Sequence, residues 1–212
     1  MSTQISQNLE AASSQGIKSR RTTAAVVGIL FIVQMLTAMV GTSLTQTFVD
    51  GDSTATPTAG VLFMLSAGLA VVGIGLLMYP ILREVDPGLA LWYPVLRTVE
   101  FAVSAACGLY LLTHLHVVPN HLLWVYVPTG FGGIVLTYLL LVSGLVPRPI
   151  AILGLVGYGV LTLGVPLDLL GILDMSAGPG QLLLAPGGLF ELFILPIWLI
   201  TRGFRPVGNT CR

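Results

Sequence analysis

Six apolar runs, each long enough to cross a lipid bilayer, constrain the fold of this chain more than any other feature. About 20 residues of α-helix span the ~30 Å hydrocarbon core, where every backbone polar group must be satisfied within the protein. With 55% hydrophobic residues and 8% charged residues, the sequence predicts an all-α polytopic membrane protein with six transmembrane helices. The predicted spans are approximately Ala24–Leu44, Ala59–Leu82, Leu89–Thr113, Leu122–Val142, Ile150–Leu173 and Leu182–Thr201.

The predicted transmembrane domain occupies residues 22–203, between two short polar ends. Residues 1–21 are rich in Ser, Gln, Ala and Thr and lack the apolar surface that offsets the entropy of ordering, so we expect a flexible N-terminal tail. Residues 204–212 form a short C-terminal tail. The zero net charge gives no argument for nucleic-acid binding, and the predicted partner is the lipid bilayer.

The basic residues predict the orientation in the membrane. Outside the spans they all lie at one end of the predicted bundle, at positions Lys18, Arg20, Arg21, Arg83, Arg148, Arg202, Arg205 and Arg212. The connections at the other end hold acidic residues and histidines and no Lys or Arg. Because cytoplasmic loops carry the excess of positive charge, we expect a multi-pass protein of a bacterial inner membrane with both termini in the cytoplasm.

Three charged residues inside the apolar runs are the strongest indication of function. Arg97 and Glu100 lie in the third predicted span, and Glu191 lies in the sixth at a similar predicted depth, ~16 Å from the cytoplasmic end. A charge at the bilayer centre costs roughly 2.5–3.5 kcal/mol even on insertion scales, so these side chains should face the protein interior and pair. We call these three residues the charged layer.

One arginine between two carboxylates leaves an excess negative charge. Either one carboxyl group is protonated or a cation completes the site. The charged layer is therefore a candidate site for a proton, a cation or another ligand. A second interpretation stays open, in which Arg97, Glu100 and Glu191 form a buried polar staple that fixes the helix register.

Two further sets of residues are weaker candidates. Asp168, near the outer end of the fifth span, either lines an outer vestibule or caps a helix end. The loop between spans three and four contains His114, His116 and His121, an arrangement that can hold Zn²⁺ or Cu²⁺, although a solvated polar loop is the default interpretation.

The six spans also allow a weak 3+3 inverted repeat. In such an arrangement Glu100 on the third span would correspond to Glu191 on the sixth, and inverted repeats place binding sites at the midplane. The small residues Ala102, Ser104, Ala106 and Gly108 on the third span indicate close helix packing, which suits a homodimer as well as a compact monomer.

Three segments resemble an uncharacterised bacterial integral membrane family, domain of unknown function 4386. They are LALWYPVLRTVEF over residues 89–101, LVPRPIAILGLVG over residues 145–157 and LFELFILPIWLITRGF over residues 189–204. Arg97, Glu100 and Glu191 fall within the matching parts. The resemblance implies a six-span membrane fold and the same orientation, and it implies no activity.

We therefore expect a protein that transports or senses a small solute or ion, with proton coupling as one form. The alternative is a structural or partner-binding membrane subunit. The sequence leaves enzymatic activity open but gives it little support, because no nucleophile motif, metal cluster or cofactor motif accompanies the spans. No cofactor is predicted.

Overall fold

The computed structural model of the chain describes residues 2–51, 57–175 and 178–205, with side chains from Ser19 onward. Within these residues the fold is all-α. The elements are α1 (Ser2–Val49), α2 (Pro57–Leu82), α3 (Pro87–His114), α4 (His121–Ser143), α5 (Arg148–Leu169), a 3₁₀ helix (Gly178–Leu184), α6 (Ala185–Leu189), a π segment (Phe190–Ile194) and α7 (Leu195–Thr201).

Six helical stretches are long and apolar enough to cross a membrane, which confirms the predicted fold class. They comprise residues 19–49 of α1, then α2 to α5, and last the run from the 3₁₀ helix to α7, which we call the sixth span. The ends of the helices differ from the predicted boundaries in two places. Helix α1 includes residues 2–21, where the sequence predicted a flexible tail, because a helix already nucleated by a membrane span extends without a new nucleation cost.

The second difference is that α5 ends at Leu169, before the predicted Leu173. Gly171 follows with φ of +70°, a left-handed conformation that glycine adopts without strain. The carboxylate of Asp168 then accepts a hydrogen bond of 2.6 Å from the backbone N–H of Met175. The chain turns at this point, so the fifth span is shorter than predicted. Residues 206–212 of the predicted C-terminal tail lie outside the described part.

The six spans form a ring. Each helix from α1 to α4 packs on the next one in the chain, α5 packs on the sixth span, and α7 returns to pack on α1. Short connections join neighbours, as expected for antiparallel helices. The third and sixth spans therefore lie across the ring from each other, and side chains from both point into its centre.

Contacts between chain segments define one end of the ring. Arg20 of α1 forms an ion pair of 2.5 Å with Glu84 in the turn between α2 and α3. The backbone N–H of Arg205 donates to the carbonyl of Leu145 in the turn between α4 and α5 at 2.9 Å. We call this end the terminal face, and the opposite end, which holds the loop between α3 and α4, the loop face.

The sixth span is not a regular α-helix. It begins as a 3₁₀ helix, continues through α6, changes to a π segment over Phe190–Ile194 and returns to α-helix in α7. Pro186 lies at the start of α6, and Pro196, which has no N–H to donate, lies at the start of α7. The N–H of Leu195 donates to the carbonyl of Phe190, the five-residue spacing of a π-helix. Glu191 lies in this π segment.

Helix α5 approaches the sixth span so closely that glycine is needed at Gly157. A Cβ atom there would lie 2.7 Å from the backbone nitrogen of Gly187 and 2.8 Å from its Cα. Backbone atoms cannot rotate away as a flexible side chain can. A Cβ atom on Gly159, two residues further along α5, would meet no atom within 4 Å.

We therefore expect Gly157→Ala and Gly159→Ala to have opposite effects on stability. Gly157→Ala should cost about 1–3 kcal/mol, because the added methyl forces α5 and α6 apart. Gly159→Ala should be neutral or stabilise by up to about 1 kcal/mol, because alanine favours the helix. Thermal unfolding of the detergent-purified proteins measures both, and equal melting temperatures for the two variants would contradict the close approach.

Candidate functional site

The charged layer lies at the centre of the ring. Nη1 of Arg97 donates to Oε2 of Glu100, one helical turn along α3, at 2.7 Å. Nη2 of Arg97 lies 3.5 Å from Oε1 of Glu191 on the opposite span. The three residues are only 1%, 8% and 7% exposed, respectively. The structure thus brings together the three residues that the sequence singled out, with Arg97 between the two carboxylates.

Two uncharged side chains complete the network. Tyr158 of α5 donates its hydroxyl hydrogen to Oε1 of Glu191 and accepts a hydrogen bond of 3.4 Å from Nη2 of Arg97. Gln34 of α1 donates from Nε2 to Oε2 of Glu191 at 3.0 Å. Four of the six spans therefore meet in one polar network, and Glu191 accepts hydrogen bonds on both of its oxygens.

Glycines make the space for this network. A Cβ atom on Gly133 of α4 would overlap the ring of Tyr158, so the tyrosine lies directly on the backbone of α4. A Cβ atom on Gly75 of α2 would lie 3.0 Å from the Cα of Pro94 and 3.4 Å from the Cβ of Arg97. The guanidinium carbon of Arg97 lies 5.2 Å from the centre of the Tyr93 ring, within the range of a cation–π contact. Small residues on α2 and α4 thus let Arg97 and Tyr158 reach the centre of the ring.

A cavity of about 710 Å³ begins at the charged layer. Gln34, Glu100, Tyr158 and Glu191 line its inner end. Along α1 the lining continues from Gln34 to Ser43, a rise of ~13 Å towards the loop face. Along α4 it continues from Thr129 to Leu122, also towards the loop face.

The opposite side of the charged layer is packed. Phe31, Met78 and Tyr93 are buried there, together with most of the hydrophobic core. The cavity therefore extends from mid-depth towards one face of the ring only, and its closed end carries the charges.

The charges at this closed end do not balance. With all three groups ionised, one guanidinium faces two carboxylates, so the layer carries one excess negative charge. Oε1 of Gln34 is buried and has no hydrogen-bond partner among the described residues. A proton shared by the carboxylates would remove the excess charge, and a bound cation or hydrogen-bond donor would also satisfy the amide oxygen. The arrangement can thus bind a proton or a monovalent positive group.

The other predicted candidates lie apart from this cavity. Asp168 accepts from the N–H of Met175 and so holds the turn after α5, as a helix-end residue does. His114 stacks on Tyr110 with ring centres 4.3 Å apart, in the last turn of α3. Across the described side chains of residues 19–51, 57–175 and 178–205, no three His, Cys, Asp or Glu side chains are close enough to hold a metal ion, and this includes His114, His116 and His121.

Gln34 and Tyr158 were not among the predicted site residues, because that prediction rested on formal charges within the spans. A glutamine amide and a tyrosine hydroxyl also require hydrogen-bond partners at membrane depth. Gln34 interrupts the apolar run of the first span, which was a usable signal. Tyr158 lies between Gly157 and Gly159 in an apolar run without any formal charge nearby.

Comparison with known protein families identifies a match for most of the chain. The family model described as Domain of unknown function (DUF4386) matches residues 26–121 and 109–203, which together include at least part of each of the six spans. No curated protein and no solved structure matches significantly.

Replacing Arg97 alone should destabilise the protein more than replacing Arg97 and Glu100 together. Arg97→Met leaves two buried carboxylates without a counter-charge, and we expect it to lower the free energy of unfolding by about 3–5 kcal/mol. Adding Glu100→Gln to Arg97→Met should restore about 0.5–3 kcal/mol, because it removes one of the unpaired charges. Thermal unfolding in detergent measures both variants.

The matched control is Arg83→Met, which removes an exposed arginine outside the spans. We expect it to change the free energy of unfolding by no more than about 0.5 kcal/mol. If Arg97→Met behaved like Arg83→Met, or if Glu100→Gln gave no recovery, the charged layer would not be an ion-paired unit.

Proposed function

Since the chain belongs to the DUF4386 family, whose description assigns no activity, we propose from the geometry of the site that the protein is a membrane carrier of a small solute or ion, coupled to protons. The observation that carries this proposal is a cavity of about 710 Å³ that extends towards one face and ends on the charged layer. Carriers bind their cargo near the bilayer midplane, in cavities lined by irregular or broken helices.

Each part of the site has a function in this proposal. Glu191 exchanges a proton or binds a cation, and Glu100 shares the same excess charge across Arg97. Arg97 lies between the two carboxylates and neutralises one of them, so the site takes up one further positive charge. The broken sixth span supplies the movable wall, because its 3₁₀ and π segments hold fewer regular α-helical hydrogen bonds than a continuous helix does.

The membrane setting belongs to the same proposal. We place the protein in a bacterial inner membrane, with the terminal face in the cytoplasm, on the support of the basic residues at that face. The cavity then extends towards the outer side. A homodimer also stays a proposal, and Gly108, one of the small residues that suggested it, packs on Val61 within the same chain.

A structural membrane subunit is the second candidate, and one observation favours it. Arg97 contacts Glu100, Tyr158 and Glu191 at once, so this side chain alone joins three of the four spans of the network whether or not a ligand binds. In this case the charged layer would only hold the ring together, as other buried ion networks do.

A pH and sodium series separates the two candidates. We expect the melting temperature of the detergent-purified protein to be higher at pH 5 than at pH 9, because a proton removes the excess negative charge of the closed site. Addition of Na⁺ at pH 9 should recover part of that difference. Glu191→Gln removes one carboxylate and with it the excess charge, so its melting temperature should depend much less on pH and Na⁺.

Glu84→Gln is the matched control, because Glu84 is exposed and lies outside the spans. It should keep the pH and Na⁺ dependence of the wild type. A constant offset between Glu191→Gln and the wild type at every pH, with no effect of Na⁺, would support the structural subunit and count against the carrier.

A further inference from the structure

The ring is least tightly closed between α1 and the loop-face half of the sixth span. Helix α1 packs on α7 and on the π segment, but it makes no substantial contact with the 3₁₀ helix or with α6. The loop-face half of the sixth span instead packs on α5. In that half of the ring, α1 and the sixth span are therefore separated. All other neighbouring spans contact each other.

The separated walls both line the cavity. Met35 and Ala38 line it from α1, while Leu184, Ala185 and Gly188 line it from the sixth span. Gly188 precedes Glu191 by three residues, so this wall begins within about one helical turn of the charged layer. Because this part of the chain lies at membrane depth, the separation between α1 and α6 faces lipid. This separation is the place at which the cavity can open sideways to the hydrocarbon of the bilayer.

The walls of the cavity are mainly apolar. Three methionines line it, Met35 and Met39 on α1 and Met64 on α2, and leucine and valine side chains from α4 and α5 complete the wall. Methionine is flexible and polarisable, so such a surface adapts to apolar groups of different shape. Charge is confined to the inner end, at Glu100 and Glu191.

The inner end calls for one positive charge. With all three groups ionised, the layer of one arginine and two carboxylates is one charge short of neutrality, and the buried Oε1 of Gln34 is an acceptor without a partner among the described residues. Gln34 is only 6% exposed and lies in the cavity lining. With both carboxylates ionised, an anion would add to the excess negative charge, and a neutral apolar molecule would leave a proton to compensate it.

We propose that the cavity takes up an amphipathic organic monocation from the lipid phase through the opening between α1 and α6. Its apolar body lies against the methionine-lined walls, and its positive charge rests between Glu100 and Glu191. This inference rests on the proposed function and specifies its substrate class. Proton and organic cation then compete for the same excess charge, so that one leaves as the other binds.

Two ions of nearly the same shape and opposite charge test the substrate class. Tetraphenylphosphonium is a hydrophobic monocation and tetraphenylborate is the corresponding anion. With the wild-type protein in lipid nanodiscs and with empty nanodiscs subtracted, calorimetry should give saturable binding of tetraphenylphosphonium. The cation should bind at least 10-fold more tightly than the anion, and its affinity should fall at least 10-fold between pH 8 and pH 5.

This comparison does not depend on the folding of any variant, because the binding of both ions at both pH values is measured with the wild-type protein. Where Glu191→Gln folds, its affinity for tetraphenylphosphonium should be at least 10-fold weaker, while Glu84→Gln should retain wild-type affinity. Equal affinity for the two ions, absence of saturable binding, or a cation affinity that is independent of pH would overturn the proposed substrate class.

The side opening has its own test. Ala185→Trp places a bulky side chain where α6 lines the opening, and Leu189→Trp places the same side chain at a 48% exposed position outside the lining. In stopped-flow measurements, Ala185→Trp should slow both association and dissociation of tetraphenylphosphonium at least 5-fold and change the Kd less than 2-fold. Leu189→Trp should change neither rate. Unchanged rates in Ala185→Trp would overturn entry between α1 and α6.

The outcomes also separate this inference from the proposed function. If the pH and Na⁺ dependence of the melting temperature disappears in Glu191→Gln while the two ions bind equally, the charged layer titrates but the cargo is not an organic cation. If the wild type shows no such dependence on pH and Na⁺, the proposed carrier fails whatever the two ions do.

Discussion

The guanidinium of Arg97 is the group on which the centre of the ring depends. It is 1% exposed, pairs with Glu100 on its own helix and reaches Glu191 on the opposite span. A buried charge of this kind is tolerated only when its partners are held in place. Tyr158 and Gln34 hold Glu191 from α5 and α1, so the position of one arginine fixes the relative depth of four spans.

Small residues are the second condition for this arrangement. Gly133 lets the ring of Tyr158 lie on α4, and Gly157 lets α5 approach the backbone of the sixth span. In a membrane, lipid tails are as apolar as the helix faces, so helix association depends on close packing and on hydrogen bonds between helices. Here the glycines supply the close packing, and the space they leave is filled by the polar network.

The sequence predicted the spans and the charged layer because both follow from large, local free energies. An apolar run of ~20 residues or a charge inside it is evident without knowledge of neighbours. Gln34 and Tyr158 were not predicted, because their polar groups are weaker signals and their partners are far away in the chain. Pro186 and Pro196 each remove a backbone N–H from the sixth span, but prolines alone do not determine where 3₁₀, α and π hydrogen bonds alternate.

Sequence patterns also do not predict the separation between α1 and α6. In a soluble protein, a helix shows its buried face by a stripe of apolar residues. In these spans the lipid-facing and inward-facing sides are both apolar, so the sequence of α1 does not reveal which stretch lies against α2 and which faces the cavity. The order of the ring and its separated walls therefore required the structure.

The π segment gives the sixth span a mechanical property that a uniform helix would lack. Its hydrogen bond spans five residues instead of four, so it holds one residue more than the corresponding α-helical turn. Each residue of an α-helix corresponds to a rotation of ~100°. If the extra residue moved to the other side of Glu191, this carboxylate would rotate away from Arg97 while α7 stayed packed on α1. The irregular turn thus lies between a half of the span that packs on α1 and a half that packs on α5, with Glu191 at the junction.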